Sequence, residues 1–278
     1  MTTSVPSIAL NNGVTIPQLG FGVFLIPPAE TAAAVTEAVE AGYRLIDTAQ
    51  GYQNEQGVGQ AIARSGVPRE EIFITTKLVN GRHGYDRALA AFDESLKRLG
   101  VDVVDLFLIH WPLPMFDEYV ETWRALEKLL ANGRVRAIGV SNFEIEHLER
   151  LANETDITPA VNQVELHPDF AQGELRAYHE SHGILTEAWG PLGQNRGLFD
   201  DARVVEMAKK NGRTPAQVVL RWHIQVGNVV IPKSVTPERV RENIDVFDFE
   251  LNDADMETFA EVDVGRRLGP HPNEFDLV

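Results

Sequence analysis

At 278 residues the chain is long enough for one large barrel or two medium-sized domains, and its 44% hydrophobic and 24% charged residues suit a globular protein with a full core. The formal net charge of −16 argues against a nucleic-acid partner, because neutralising phosphates requires a basic face. The absence of cysteine excludes disulfides, thiolate nucleophiles and cysteine-based zinc sites.

Membrane insertion and export leave recognisable sequence patterns, and this chain shows neither. No apolar run approaches the roughly 18 residues that span a bilayer. Residues 1–6 contain neither the basic nor the apolar region of a secretion signal. We therefore expect a cytoplasmic protein without a membrane partner.

Apolar runs typical of strands alternate with segments of helical periodicity almost from end to end. The predicted strands are residues 18–23, 43–48, 72–78, 104–111, 136–142, 160–165, 184–189 and 229–233. The predicted helices include residues 29–41, 86–99, 118–131, 172–181, 200–211, 214–225, 237–246 and 253–262. This order favours a (β/α)₈ TIM barrel in one domain spanning residues 1–278. A doubly wound open sheet has the same alternation and stays open as an alternative.

Two features add to the barrel repeat. Alternating runs flank Asn11, Asn12 and Gly13, which predicts a β-hairpin over residues 8–16 that caps the N-terminal mouth. The seventh connection contains two helices, so one of them is extra, and a further helix precedes the C-terminal tail.

Four polar residues lie where three consecutive predicted strands end: Asp47, Tyr52, Lys77 and His110. In a barrel these strand ends meet at the catalytic rim. A phenol near pKa 10 is a poor acid at neutral pH, but an adjacent ammonium lowers its pKa. We interpret Tyr52 as the general acid that protonates a carbonyl oxygen, tuned by Lys77 and Asp47, with His110 orienting the carbonyl. Each residue alone would more often be an ordinary polar group ending a strand; the four together indicate a site.

A second candidate site follows the eighth predicted strand, where Thr236 and Pro237 begin a helix. Helix N-termini after the last barrel strands bind phosphate, and Lys233, Ser234 and Arg239 stand beside this one. A capped surface helix with exposed cations explains the same segment equally well.

A third candidate site joins Ser141, Asn142 and Gln163, which end strands five and six, with Trp189, which ends strand seven. Their hydroxyl and amide groups suit a carboxamide, and an indole face suits an aromatic ring, so together they predict a nicotinamide site. A buried Trp189 and a helix cap at Ser141 and Asn142 form the competing interpretation.

Other patterns do not indicate sites. The run that begins at Gly20 and Gly22 has a leucine where a dinucleotide fingerprint requires its third glycine. His179 and His182 are one helical turn apart without a third ligand, so we interpret them as a solvated helix face and predict no metal site.

Taken together, these motifs resemble the aldo-keto reductase superfamily over essentially the full chain, most closely the prokaryotic 2,5-diketo-D-gluconate reductase group. The resemblance is carried by residues 42–49 with Glu55 and Gly59, by residues 138–143, and by residues 231–234 with Arg239, Glu242 and Asn243. It implies a TIM barrel that binds NADPH across its C-terminal rim and reduces aldehydes and ketones, as a monomer.

The resemblance also implies residue roles. The catalytic residues are Tyr52, Asp47, Lys77 and His110. The cofactor-binding residues are Ser141, Asn142, Gln163, Trp189, Gly190, Leu192, Lys233, Ser234, Val235, Arg239, Glu242 and Asn243. The substrate pocket is lined by Phe24, Tyr52, His110 and Trp111, and the tail around residues 266–272 completes it.

One position departs from the family pattern. Family members often carry an aromatic residue two places after the lysine, where this chain has Val79. We therefore expect a wider pocket on that side. Two other functions stay open from the sequence: an NADPH-binding redox sensor with little turnover, and a barrel glycosidase using Asp47 and Glu165.

Overall fold

The computed structural model describes residues 5–278, in which eight parallel strands follow one another around a barrel. The barrel strands are β3 Phe21–Gly22, β4 Leu45–Asp47, β5 Phe73–Leu78, β6 Val104–Ile109, β7 Val135–Ser141, β8 Val161–Glu165, β9 Leu185–Trp189 and β10 Val229–Val230. Leu19 forms a parallel bridge with Val230, and the Gly22 amide donates to the Pro232 carbonyl at 3.1 Å. The first and last strands therefore meet. The predicted barrel is confirmed, and the open sheet is excluded.

Ten α-helices surround this sheet within residues 5–278. They are α1 Pro28–Ala41, α2 Glu55–Arg64, α3 Tyr85–Leu99, α4 Tyr119–Ala131, α5 Ile145–Glu154, α6 Gly173–Ser181, α7 Ala202–Asn211, α8 Pro215–Gln225, α9 Pro237–Ile244 and α10 Asp253–Val262. The eight helices whose bounds the sequence predicts agree within two residues at each end. None of the helices described is both long enough and apolar enough to cross a membrane.

The extra helix in the seventh connection is α7, and local residues explain why two helices form there. The Asp201 carboxylate caps α7 by accepting from the Arg203 amide at 2.9 Å. Gly212, in the left-handed conformation, ends it. The next helix begins at once with a capping box, in which Thr214 accepts from the Gln217 amide and Gln217 accepts from that of Thr214.

The predicted N-terminal hairpin consists of β1 Ser7–Ala9 and β2 Thr15–Pro17, paired antiparallel. Asn11 donates to the Pro159 carbonyl at 3.2 Å and Asn12 donates to the Arg136 carbonyl at 2.9 Å. These acceptors lie at the N-terminal ends of β8 and β7. The hairpin therefore covers the mouth opposite the candidate site, as predicted.

The barrel interior is apolar near this hairpin and polar nearer the C-terminal ends of the strands. Leu45, Val161 and Leu185 pack in one buried cluster with the hairpin residues Leu10 and Ile16. Because side chains alternate along a strand, the residue two places further along each of these strands also faces inward. Those residues are Asp47, Gln163 and Glu187, all buried. The fold thus places a polar layer between the apolar half of the barrel and the C-terminal rim.

Candidate active site

Lys77 is the centre of the polar cluster at the rim. Its Nζ donates to Asp47 Oδ1 at 2.7 Å, to the Thr48 carbonyl at 3.1 Å and to Tyr52 Oη at 3.3 Å. Lys77 has no exposed surface and Asp47 is 2% exposed. Adjacent parallel strands β4 and β5 bring the ammonium and the carboxylate together. Three of the four predicted catalytic residues are therefore in direct contact.

The fourth, His110, lies on the other side of the phenol. Its ring centroid is 5.6 Å from that of Tyr52, with the planes at 73°. Tyr52 ends a short 3₁₀ turn, Gln50–Tyr52, which places its ring between His110 and Phe24. Both Tyr52 and His110 are half-buried. The phenol and the imidazole are thus neighbours, and each keeps part of its surface accessible.

The protonation states follow from burial and from the neighbouring charges. Burial raises the pKa of the Tyr52 phenol, while the ammonium of Lys77 lowers it without cancelling the effect. Burial is the largest single effect on Lys77 and would lower its pKa, but Asp47, Tyr52 and Glu187 together outweigh it, so the Lys77 pKa is raised. Burial and the charge of Lys77 hold the pKa of His110 well below its usual 6.5. At neutral pH the site contains a protonated phenol, an ammonium and a neutral imidazole.

The sequence predicts a net lowering of the Tyr52 pKa, and this prediction is wrong. Lys77 acts in the predicted direction, but removal of the phenol from water has the larger effect. The result is a phenol that keeps its proton at neutral pH beside a cation that stabilises the phenolate once the proton has left.

The predicted carboxamide residues form one hydrogen-bonded cluster. Ser141 Oγ donates to the Gln163 carbonyl at 2.8 Å, and Asn142 Nδ2 donates to the His110 carbonyl at 2.9 Å. The Trp189 indole donates to Asn142 Oδ1 at 2.8 Å. Asn142 adopts a left-handed φ of 61°, a conformation that asparagine tolerates better than most residues. Trp189 is half-buried, so one part of its ring remains accessible.

Beneath this cluster lies a buried carboxyl group that the sequence interpretation missed. Gln163 Nε2 donates to Asp47 Oδ2 at 2.8 Å and to Glu187 Oε2 at 2.9 Å. Glu187 has no exposed surface, and burial together with the Asp47 charge raises its pKa to about 8. The available signal was strand alternation, because Glu187 lies two places before Trp189 on β9 and so points to the same side.

The predicted phosphate segment precedes α9. Thr236 is the N-cap residue, but its side chain caps nothing; the Thr236 amide instead donates to Ser234 Oγ at 3.1 Å. Lys233 and Arg239 are exposed, and neither has a hydrogen bond or ion pair with another described side chain. These two cations, unpaired among the described side chains, thus lie on one largely exposed segment, residues 233–239.

The remaining predicted cofactor residues flank these groups. Gly190 has a φ of 61° directly after β9, and Leu192 is half-buried in the same loop. Val235 is 54% exposed beside the two cations. Further along α9, Glu242 Oε1 accepts from Thr214 Oγ1 at 2.5 Å, and Asn243 is buried.

The C-terminal tail crosses the rim of the barrel. The Phe275 ring packs on that of Trp111 at 4.2 Å, and the Leu277 carbonyl accepts from Asn80 Nδ2 at 2.7 Å. Gly269 lies so close to Trp189 that a Cβ there would sit 2.8 Å from the indole. The tail therefore packs against Trp111 and against the benzo end of the Trp189 indole.

A buried cluster that the sequence interpretation also missed holds the tail in place. The Glu165 carboxylate accepts from the amides of Leu268 at 2.6 Å and Gly269 at 2.7 Å, and it contacts His167 Nε2 at 2.9 Å. His167 also bonds Asp169, which in turn pairs with Arg266 of the tail. Glu165 is thus bound to the tail while Asp47 is bound to Lys77, which leaves no free carboxylate pair for the glycosidase alternative.

The prediction of a solvated histidine face on α6 is half wrong. His182 is exposed and stacks on Tyr178 at 4.0 Å. His179 is fully buried, with its ring bonded to Asn162 at 3.0 Å and Thr186 at 2.9 Å. Burial lowers the pKa of His179 to about 3, so it is a neutral core residue.

Residues 18–264 match the model of the aldo/keto reductase family. The chain belongs to the aldo/keto reductase family. It is 51% identical to morphine 6-dehydrogenase of Pseudomonas putida, covering 99% of this chain and 97% of that protein. It is 49% identical to methylglyoxal reductase DkgA of Escherichia coli K12, covering 96% of this chain and 97% of that protein. A solved structure of a Gox0644 variant in complex with NADPH matches with a TM-score of 0.94 and 51% identity, over 98% and 99% of the two chains.

These matches extend to nearly every element of the barrel, so this aldo/keto reductase is an oxidoreductase by family. The two curated relatives, at nearly equal identity, carry names that refer to different substrates, morphine and methylglyoxal. Family membership therefore determines the type of reaction without determining the substrate.

Proposed function

We propose that this aldo/keto reductase reduces aldehydes and ketones to alcohols with NADPH and that Tyr52 is the general acid. The observation that carries the proposal is the position of Lys77 Nζ, within hydrogen-bond distance of both the Asp47 carboxylate and the Tyr52 phenol. That geometry suits a proton donor whose conjugate base needs stabilising.

The residues present fit NADPH, the cofactor that supplies the hydride. We assign the carboxamide to Ser141, Asn142 and Gln163, and the nicotinamide face to the accessible ring of Trp189. The cations Lys233 and Arg239 suit the 2′-phosphate, because neither has a side-chain partner among the described residues. Ser234, Val235, Glu242 and Asn243 line the adenosine side, and Gly190 and Leu192 lie between the two ends.

The geometry at the rim indicates which residue donates the proton. Tyr52, protonated at neutral pH, donates to the carbonyl oxygen as negative charge develops there. The resulting phenolate is stabilised by Lys77 at 3.3 Å, while Asp47 keeps the ammonium in place. His110, neutral because burial lowers its pKa, donates a hydrogen bond that orients the carbonyl.

For the substrate we propose small dicarbonyls or keto-sugars, entering past Phe24, Tyr52, His110 and Trp111. A redox sensor that binds NADPH with little turnover remains the alternative from another class. NADPH oxidation followed at 340 nm over a panel of carbonyls separates the two: turnover with any substrate class supports the reductase, and tight binding without turnover supports the sensor. The monomeric state and the cytoplasmic location stay predictions.

Replacing Tyr52→Phe removes the phenolic proton and leaves the surface assigned to the cofactor unchanged. We expect kcat to fall at least about 100-fold, the lower end of general acid catalysis, with little change in the Kd for NADPH. Steady-state kinetics and a fluorescence titration measure the two effects, with Tyr85→Phe on α3 as the matched control. Near-normal turnover of the Tyr52 variant would remove Tyr52 from its assigned role.

Replacing Arg239→Ala tests the phosphate site. A charge-assisted hydrogen bond contributes roughly 1.5–3 kcal/mol, so we expect about 10- to 150-fold weaker NADPH binding and a much smaller change for NADH, which lacks the 2′-phosphate. Titration of the intrinsic tryptophan fluorescence with each nucleotide measures both, and Arg64→Ala on α2 is the matched control. Equal losses for the two nucleotides would place the phosphate elsewhere.

Replacing Val79→Trp tests the pocket wall. Val79 lies beside the catalytic turn: its amide donates to Gln50 at 3.0 Å, and its side chain comes within 3.9 Å of a Cβ built on Gly51. We expect kcat/KM to fall for bulky ketones and to stay unchanged for methylglyoxal. The added indole displaces the carbonyl of a bulky substrate, and even a small displacement lowers the reaction rate strongly. Val205→Trp on α7 is the control. If both substrate classes respond alike, Val79 lies away from the pocket.

A further inference from the structure

Glu187 occupies a position that the reduction mechanism does not use. On β9, Leu185 packs in the apolar cluster near the hairpin and Trp189 reaches the rim, with Glu187 between them on the same face. Each step of two residues rises about 7 Å along a strand. Glu187 therefore lies one layer below the indole that we assign to the nicotinamide.

The contacts of Glu187 involve the same side chains as the site above it. The Gln163 amide nitrogen donates to both Glu187 and Asp47, so the two carboxyl groups share one NH₂ group. That arrangement turns the amide nitrogen inward and leaves the amide oxygen for a donor from outside, such as a carboxamide. The second oxygen of Glu187, Oε1, is buried and has no hydrogen-bond partner among the described residues.

The charges around Glu187 do not balance if it is ionised. The cation that faces this layer is Lys77, and its Nζ is paired with Asp47 Oδ1 at 2.7 Å. On the other side of β9, the strand β10 contributes only Val229 and Val230. The titratable or polar groups that face Glu187 are Asp47 from β4, Tyr52 from the following turn, Lys77 from β5 and Gln163 from β8.

The pKa values leave Glu187 as the group that changes charge near neutral pH. Burial and the Asp47 charge raise its pKa to about 8, although the Gln163 hydrogen bond and the Lys77 charge act to lower it. The pKa values of Tyr52 and Lys77 are raised above 10, and that of His110 is held well below 6.5. Of these shifted groups, only Glu187 titrates between pH 7 and 9.

We propose that Glu187 is a positioning residue that makes cofactor preference depend on pH: in both forms it accepts the hydrogen bond that holds the Gln163 amide, and in its ionised form it also favours the oxidised cofactor over NADPH. The nicotinamide ring is positively charged in the oxidised form alone, so a carboxylate one layer below attracts that form selectively. This inference rests on the assignment of the Trp189 face to the nicotinamide.

Thermodynamic reciprocity gives a second consequence. If ionised Glu187 favours the oxidised cofactor, binding of that cofactor must in turn favour ionisation of Glu187. Near pH 8 the protein should therefore release protons to solvent when it binds NADP⁺ and should release fewer when it binds NADPH. The 2′-phosphate is common to the two nucleotides, so its own titration cancels in the comparison.

The decisive experiment measures Kd for NADPH and for NADP⁺ by fluorescence titration from pH 6.5 to 9.5, in wild type and in Glu187→Gln. In wild type we expect the affinity for NADP⁺ relative to NADPH to rise roughly tenfold across this range. This is the size of effect expected when the ionised Glu187 carboxylate attracts a positively charged nicotinamide ring one layer above it. In Glu187→Gln, which cannot ionise, the ratio should be flat. Glu174→Gln, exposed at the start of α6, should behave as wild type.

The same pH dependence in wild type and Glu187→Gln would overturn the inference, as would a flat ratio in wild type. If the variant does not fold, calorimetry on wild type at pH 8 in buffers of different ionisation enthalpy decides: equal proton release on binding NADP⁺ and NADPH contradicts the proposal. Failure to bind NADPH at all would instead overturn the proposed function, so the two failures are distinguishable.

Discussion

The buried ion pair between Asp47 and Lys77 is the interaction on which the rest of the site depends. Burying two charges is expensive, and removing one partner of such a pair typically costs about 3–5 kcal/mol because the other is left unpaired. The barrel tolerates the pair because Lys77 is fully saturated by Asp47, Thr48 and Tyr52. The bond to Tyr52 links the ion pair to proton transfer, since it holds the Lys77 ammonium beside a phenol that burial keeps protonated.

The architecture separates stability from function along the barrel axis. The apolar cluster beside the hairpin closes one mouth, and the polar layer of Asp47, Gln163 and Glu187 begins directly above it. At the other mouth, Glu165 and its neighbours fix the tail across the rim. The loops and the tail thus surround the rim, while Asp47 and Lys77 belong to strands and Tyr52 and His110 lie in the connections after β4 and β6. Such a division allows relatives of nearly equal identity to bear the names of very different substrates.

The sequence predicted those parts of the molecule that depend on local patterns. Hydrophobic periodicity gave eight strands and eight helices, and the positions of polar residues at strand ends identified Asp47, Tyr52, Lys77 and His110 as a cluster. What it missed depends on contacts between distant residues. The tail amides that donate to Glu165 lie more than 100 positions away in the sequence. Strand alternation places Glu187 on the inner face of β9, but the hydrogen bond from Gln163 and the raised pKa depend on neighbours across the barrel. The raised pKa of Tyr52 and the burial of His179 likewise reflect packing that spacing does not encode.

The most direct test of this account is the rate of a single turnover in Lys77→Met at saturating NADPH. Methionine keeps an unbranched chain in the barrel but removes the cation that stabilises the Tyr52 phenolate and balances Asp47. NADPH binding, measured on the same preparation, shows whether the cofactor site remains intact. The account predicts that the variant binds NADPH and reduces methylglyoxal at least about 100-fold more slowly than wild type. A variant that binds NADPH and turns over at the wild-type rate would contradict it.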